Sequence, residues 1–311
     1  MKNDKLLMAQ VATLYYEKNL TQQEIANTMN LSRQTISKLL NEAVAEKIVE
    51  IKIHNPEEDK AALATALLSH FASEGNVQNI HIASVSTDDH YLRQLMTSKA
   101  AVDVILPLLS SKKKIAISWG RTIQTFIEEL PHTATSENIV FPLFGATDRQ
   151  KAYYLSNDLA RLFAEKISAK AEYAWFPYVT ENASDYDLFK RTTYYKNMEE
   201  NWNNIDVAIV GIGARDALSL FEEAFGPNPE ANFDVGDIAT HSFTIFGTIS
   251  KQRTHTLCVS EEALKNAKRV FAIACGNDKT EAIVGALRTG LVTDLIIDEY
   301  TAKNILAYIS Q

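Results

Sequence analysis

From about residue 77 onward the chain alternates between short apolar runs and amphipathic stretches of helical length. The apolar runs cover 79–83, 115–118, 139–143, 207–210, 270–274 and 295–297. Each has the length of a strand that is buried on both faces. Helical patterns over 122–130, 157–169 and 279–289 separate several of them. This alternation predicts βαβ units and a doubly wound α/β fold with a largely parallel sheet.

The length and composition are sufficient for two domains. The chain has 311 residues, of which 46% are hydrophobic and 23% charged, so it can bury a sizeable core. The formal net charge of -8 argues against a protein whose whole surface coats a polyanion. It leaves room for one local face that binds nucleic acid.

The cysteines and the amino terminus indicate the compartment. Cys258 and Cys275 form no CxxC pair, and no histidine cluster accompanies them. A disulfide framework or a bound metal is therefore not expected, and a reducing compartment fits. The first residues lack the apolar core of a signal peptide, and no apolar run is long enough to span a membrane. We expect a cytoplasmic protein without a membrane partner.

Charge and proline place a domain junction near residue 55. Residues 1–55 carry 7 basic and 6 acidic side chains, whereas the remainder carries 24 basic and 33 acidic ones. Between them, Pro56 lacks a backbone donor and disfavours a helical Asn55. We predict one domain over 1–55 and a second over 56–311, with a helix over 57–73 after the junction. The Tyr- and Asn-rich stretch 180–205 is the least regular part and is interpreted as an insertion or a surface helix.

Three helices are predicted in the first domain. The first covers 5–18, and the second opens at Thr21 with a capping box that Glu24 completes. Asn30 suits the left-handed backbone of a tight turn, and Ser32 is a good N-cap for a third helix that extends to about residue 45. The alternating stretch 48–53 predicts a short strand, which would form a wing beside the helices.

The solvent face of the third helix has the chemistry of a major-groove reader. Arg can bond guanine bidentately, Gln can bond adenine, and hydroxyls and helix-terminal amides can hold phosphates. The alternative is that 1–55 is an ordinary helical domain whose polar face is only solvated. On such a face acidic residues usually accompany basic ones, but the third helix contains no acidic residue before Glu42. We therefore predict a helix-turn-helix that binds operator DNA through Thr21, Gln22, Ser32, Arg33, Gln34, Thr35, Ser37 and Lys38.

Eight segments match a known family: 9–17, 21–26 and 31–40 near the amino end, and 118–122, 210–213, 235–238, 286–290 and 298–302 in the second domain. Through them the chain resembles the SorC/DeoR-type sugar-binding transcriptional regulators over nearly its whole length. Within that family, the 118–122 and 202–213 stretches look most like regulators of sorbose or sorbitol use. The resemblance implies an effector domain similar to sugar-phosphate isomerases, with a cleft for a sugar or sugar phosphate as inducer.

Loops at the carboxyl ends of the predicted strands converge, which is where ligands bind in open parallel sheets. Glycine after a strand is also ordinary turn chemistry. Asp237 can equally be a turn or cap residue, and Lys279 a solvated residue in the first turn of a helix. The effector-binding candidates that the resemblance carries over are Gly120, Arg121, Thr122, Gly145, Asn157, Asp237, Gly276 and Lys279.

One departure from the family bears on the ligand. Many relatives have a Gly-Gly pair after the second strand of the effector domain, some with a basic residue before it, whereas this chain has Phe144-Gly145-Ala146. Arg149 or Lys151 could supply the missing cation. The departure favours a ligand that is less charged than a doubly phosphorylated sugar.

Two functions compete. A transcription factor would combine the DNA-reading element with the cleft, need no cofactor, and act as a dimer or tetramer because symmetric operators pair with symmetric proteins. A sugar-phosphate isomerase or deaminase would need a positioned base. The chain has no HExxH, GxSxG or P-loop motif and no recognisable catalytic pair. We therefore expect a regulator without catalytic residues.

Overall fold

The computed structural model describes residues 2–50, 60–109, 112–134, 136–147, 155–215, 233–251 and 254–310. The chain divides into two compact units, Met1–Pro56 and Glu57–Gln311. The predicted junction over 54–59 lies outside the described residues and stays a prediction. Among the helices described, none combines the length and apolar character needed to cross a membrane.

The first unit contains three α-helices around a small apolar core. Val11, Ile25 and Ile36 are fully buried there, one from each helix. The first helix is shorter than predicted, because its last turn continues as a π-helical turn over Thr13–Glu17. The helices are α1 Lys2–Ala12, α2 Gln22–Met29 and α3 Arg33–Ala45.

The predicted wing is not seen in the part of the chain that the structure describes. Residues 48–50 form a bend and not a strand, and residues 51–53 lie outside the described residues. The prediction of a strand is therefore wrong for 48–50. Ile48 and Val49 instead pack, partly buried, against the core of the three helices. This packing explains their apolar character without strand pairing.

The second unit alternates strands and helices, as the sequence pattern predicts. Its strands are β1 Asn79–Ala83, β2 Lys114–Ile117, β3 Ile139–Pro142, β4 Lys170–Ala171, β5 Val207–Gly211, β6 Gly213–Ala214, β7 Asp234–Ile238, β8 His241–Thr244, β9 Arg269–Ile273 and β10 Asp294–Asp298. Its helices are α4 Lys60–Phe71, α5 His90–Ile105, α6 Arg121–Glu129, α7 Ser156–Lys166, α8 Ala183–Arg191, α9 Thr193–Trp202, α10 Glu261–Lys265, α11 Thr280–Arg288 and α12 Glu299–Ile309.

Seven strands form one parallel sheet in the order β1-β10-β9-β5-β2-β3-β4. From β2 the chain proceeds outward through β3 to β4, and then crosses to the other side of β2 to form β5. The strand order therefore reverses between β2 and β5. In open α/β sheets, ligands bind in the crevice at such a reversal, beyond the carboxyl ends of the strands.

The sheet separates two apolar cores, which confirms the doubly wound architecture. On β2, Ile115 and Ile117 belong to the core that α5, α6 and α7 cover, whereas Ala116 belongs to the core on the opposite face. The second core is covered by α4, α9, α11 and α12. Because both faces are buried, the strands consist of continuous apolar runs.

Two parts of the second unit differ from the sequence prediction. A separate three-stranded antiparallel sheet, β6-β7-β8, was not predicted. In addition, the stretch 180–205 is more regular than predicted and forms α8 and α9, which Asn182 and Thr192 cap through their side chains. The α8 part agrees with the predicted surface helix, because none of its residues is buried. Tyr195, Met198 and Trp202 of α9 are buried, so this helix contributes to the core.

Candidate functional site

The turn between α2 and α3 is built by short-range hydrogen bonds. The Thr21 hydroxyl accepts from the Glu24 N–H, and the Glu24 carboxylate accepts from the Thr21 N–H at 2.8 Å. The Thr21 N–H, and to a lesser extent the Thr21 hydroxyl, donate to the Glu24 carboxylate and lower its pKa. Asn30 has φ +56° and closes α2, and the Ser32 hydroxyl accepts from the Thr35 N–H at 3.0 Å to begin α3. This is the helix–turn–helix connection that the sequence predicts.

The predicted DNA-reading residues lie at the surface of the first unit. Arg33 and Gln34 are exposed and make no side-chain hydrogen bond within the described part of the chain, so both side chains are available to base edges. Lys38 is 3.6 Å from Glu42 in an exposed i,i+4 pair, and such weak pairs yield readily to a phosphate. Exposed residues of the set are Thr21, Ser32, Arg33, Gln34 and Lys38, and half-buried ones are Gln22, Thr35 and Ser37.

Three hydroxyls of this set already have partners. Thr21 donates to Glu24, and the hydroxyls of Ser32 and Thr35 lie 2.7 Å apart. Their first role is therefore to hold the ends of α2 and α3. Contact of any of the eight residues with DNA stays a prediction.

In the second unit, the loops after β2 and β5 meet at the reversal of strand order. A Cβ on Gly211 would lie 3.9 Å from the Trp119 carbonyl oxygen and 3.8 Å from the Ile123 side chain. Gly120 has φ +117°, which favours glycine, and no described atom lies within 4 Å of the position that its Cβ would take. The backbone before α6 therefore opens toward free space at the expected position of a ligand.

Lys279 joins the loop after β9 to the loop after β5. Its Nζ donates to the Ile212 carbonyl oxygen at 2.8 Å. Burial lowers the pKa of this ammonium group, and the like charge of Arg121 acts in the same direction. The alternative of a fully solvated first-turn lysine is therefore wrong, because the side chain is partly buried and has a backbone partner.

Asp237 lies beside the same loops. On β7 it pairs with Gly213, and its carboxylate accepts from the Thr240 N–H at 3.3 Å. Burial raises the pKa of Asp237 to about 6, although the Thr240 N–H and the Lys279 charge oppose the increase. Asp237 thus stabilises the β7–β8 turn and also places a polar group near Lys279. A carboxylate can accept hydrogen bonds from the hydroxyls of a ligand, and an ammonium group can donate to them.

Two helices beside the cleft begin without a side-chain cap. Thr21, Ser32, Asp89, Asn182, Thr192, Ser260 and Asp298 cap other described helices through their side chains. In contrast, α6 begins after Gly120, and α11 begins after Lys279 without such a cap. A short 3₁₀ helix over Asn277–Lys279 precedes α11, and the Thr280 N–H donates to the Asn277 carbonyl oxygen. Of these two helices, α6 is therefore the one whose first N–H groups favour an anion. Arg121 and Thr122 occupy the first turn of α6, exposed and half-buried respectively.

Gly145 and Asn157 make different contacts from the other candidates. A Cβ on Gly145 would lie 2.4 Å from the Pro177 carbonyl oxygen, so glycine is required there for packing. The Asn157 amide bonds both the N–H and the carbonyl of Ala174. These contacts give Gly145 and Asn157 a structural role. A role of either residue in effector binding stays a prediction. Arg149 and Lys151 lie outside the described residues.

One residue of the site region was not selected from the sequence. Trp119 precedes Gly120 and is half-buried, with its ring centroid 4.1 Å from that of Phe144 and 5.5 Å from that of Tyr178. The motif 118–122 contains this tryptophan, but only the fold shows that its ring packs on Phe144 and Tyr178 next to Gly120.

Comparison with known proteins agrees with both units. Residues 56–307 match the family described as "Putative sugar-binding domain", and residues 8–46 match the family described as "Sigma-70, region 4". The sorbitol operon regulator of Klebsiella pneumoniae is 27% identical over 98% of each chain, and the deoxyribonucleoside regulator of Bacillus subtilis is 26% identical over 96% of this chain and 97% of its own. The crystal structure of the full-length Klebsiella regulator, SorC, superposes with a TM-score of 0.72 at 26% identity and covers 98% of this chain and 99% of its own.

These matches define a transcriptional regulator that joins a helix-turn-helix to an α/β domain of the sugar-binding type. The relatives compared are regulators and not enzymes, which argues against the alternative of an isomerase or deaminase. The chain belongs to the SorC/DeoR family of sugar-binding transcriptional regulators.

Proposed function

We propose that this regulator controls a carbohydrate-utilisation operon and that a sugar or sugar phosphate, bound beyond the carboxyl ends of β2, β5 and β9, changes its affinity for operator DNA. The observation that carries the proposal is the meeting of Asp237, Lys279 and the uncapped start of α6 at the strand reversal. Hydroxyls would bond the first two groups, and an anionic oxygen would lie at the helix end.

The charge of the cleft favours a ligand with at most one phosphate. Arg121 and Lys279 supply positive charge at this part of the cleft, and the charge of Asp237 offsets part of it. Two phosphates would require more positive charge than these side chains supply. The relatives named for sorbitol and for deoxyribonucleosides make polyol phosphates and pentose phosphates suitable first probes.

We propose that α3 enters the major groove and that Arg33 and Gln34 read base edges there. A single helix-turn-helix covers one half-site, so the regulator acts as a dimer or tetramer on a symmetric operator. The exposed, acid-free first turns of α3 support this assignment. Light scattering of the purified chain, alone and with DNA, tests the assembly.

The decisive experiment combines ligand binding with DNA binding. The full chain is titrated with D-sorbitol, D-sorbitol 6-phosphate, 2-deoxyribose 5-phosphate, D-glucose 6-phosphate and inorganic phosphate, and its melting temperature is recorded. Binding to the DNA upstream of its own gene is then measured by gel shift with and without each compound. We expect one sugar derivative to raise the melting temperature and to change the operator affinity. Absence of DNA binding at any protein concentration in low salt would refute the proposal.

A further inference from the structure

A buried guanidinium lies behind the loop that carries Gly276 and Lys279. Arg93 is on the first turn of α5, which follows β1, and its side chain is only 3% exposed. It is far in sequence from the cleft loops, and no family motif selects it. Its contacts nevertheless extend to the loop after β9.

The charge of Arg93 is balanced without that loop. Nε and Nη2 donate to the two carboxylate oxygens of Asp298 at 3.0 and 3.3 Å, and Nη1 donates to Asp88 at 2.6 Å. Asp298 is fully buried, so a bidentate arginine is the expected partner. These carboxylates take three of the five N–H donors, so the buried fork has two donors left for other acceptors.

The two remaining donors connect the guanidinium to the loop, one directly through Asn277 and one through Thr301 of α12. Nη1 donates to the Asn277 side-chain oxygen at 2.9 Å, and Nη2 donates to the Thr301 hydroxyl at 2.9 Å. The same hydroxyl accepts from the Gly276 N–H at 3.0 Å, and the Asn277 oxygen also accepts from Asn304 at 2.8 Å. Gly276 has φ +125°, a conformation that favours glycine, and its N–H is fixed by the Thr301 hydroxyl.

We propose that Arg93 is a positioning residue for effector binding: through Thr301 and Asn277 it holds the Gly276–Lys279 loop in the conformation that places Lys279 in the cleft. The inference rests on the proposed function of the cleft. Lysine could not replace Arg93, because only the planar fork serves Asp298 and the loop together.

Variants at the loop end of this network test the role without leaving a buried charge unpaired. Thr301→Val removes the hydroxyl at nearly constant shape, Thr301→Ser restores it, and Asn277→Ala removes the second attachment. Hydrogen–deuterium exchange of the full chain reports the protection of residues 275–279. Titration with D-sorbitol 6-phosphate and with 2-deoxyribose 5-phosphate reports binding, and the affinity for upstream DNA without these probes is the control.

We expect Thr301→Val and Asn277→Ala to accelerate exchange in 275–279 on the order of tenfold, the factor that corresponds to one lost hydrogen bond. Probe affinity should fall by about the same factor, whereas the serine variant should match the wild type and DNA affinity should not change. Unchanged exchange in both variants would overturn the inference, and so would faster exchange with full probe affinity. If neither probe binds the wild type, these two compounds are excluded as ligands of the cleft, whereas the exchange of 275–279 still decides whether the network around Arg93 holds the loop.

Discussion

Asp237 imposes a stability cost that should disappear when its charge is removed. Burial raises the pKa of this carboxyl from its ordinary 3.8 to about 6. Because one pH unit corresponds to about 1.4 kcal/mol, the difference corresponds to about 3 kcal/mol for a fully buried group. The side chain is partly exposed, so we expect about 2 kcal/mol. Asp237→Asn should therefore raise the free energy of unfolding by about 2 kcal/mol at pH 7.5.

The pH dependence follows from the direction of the change in pKa. A raised pKa in the folded state means that the folded protein binds the proton more tightly than the unfolded chain. Below about pH 4 the carboxyl is mostly protonated in both states and costs little. The cost grows as the pH rises and is complete above about pH 6 to 7. The gain from Asp237→Asn should accordingly shrink to a few tenths of a kcal/mol at about pH 4.

Urea unfolding followed by tryptophan fluorescence measures this difference. All three tryptophans, Trp119, Trp175 and Trp202, belong to the second unit, so their fluorescence reports that unit. Asp187→Asn, a change at an exposed carboxylate on α8, is the matched control and should have little effect at either pH. No gain for Asp237→Asn at pH 7.5, or an equal gain at both pH values, would refute the reasoning. Asp237→Asn should also bind the effector more weakly. The same variant would then have a higher free energy of unfolding and a lower effector affinity, which separates the two roles of the carboxylate.

Three further predictions concern the two sites and the turn between β7 and β8. Arg33→Ala should weaken operator binding by roughly 1–3 kcal/mol and relax base choice. Lys38→Ala should weaken binding to all DNA sequences alike and reduce the slope of log affinity against log salt concentration by about one. Anisotropy titrations across salt concentrations distinguish the two variants, and an unchanged footprint for Arg33→Ala would contradict the first prediction. Lys279→Met should keep the operator affinity and raise the effector concentration needed by about tenfold or more, because the ammonium group proposed to donate to the effector is removed; an unchanged gel-shift titration with effector would contradict this. Thr240→Gly should stabilise the second unit by about 1 kcal/mol because Thr240 has φ +71°, and a melting temperature that does not rise would show that the turn is unstrained.

The parallel sheet could be predicted because its signal is local. Strands such as β5 and β10 are buried on both faces, and their apolar runs identify them to within about one residue. In contrast, β4 and β6 contain two residues each and leave no periodic pattern. Their positions depend on the partners that the tertiary fold supplies, which sequence periodicity cannot report.

The helix-turn-helix was predictable for a related reason. The capping box of Thr21, the left-handed Asn30 and the cap of Ser32 are all interactions across three or four residues. The polar face of α3 follows from helical periodicity once those ends are fixed. The expected strand over 48–53 failed where it is described, because partly buried Ile48 and Val49 pack on the helical core and need no alternating sheet pattern.

The effector cleft shows the limit of such reasoning. Gly120 and Lys279 follow recognisable strands, so their place at the carboxyl edge of the sheet is predictable. The pairing of Lys279 with the Ile212 carbonyl joins loops separated by 67 positions, and Asp237 enters from an antiparallel hairpin that has no strand signal of its own. The chemistry of the cleft depends on that meeting, because burial of an aspartate beside a lysine sets the protonation of both. The types of residue after the strands therefore indicated where a ligand would bind. Only the fold, in which the chain passes to the other side of β2 to form β5, explains which groups face that ligand.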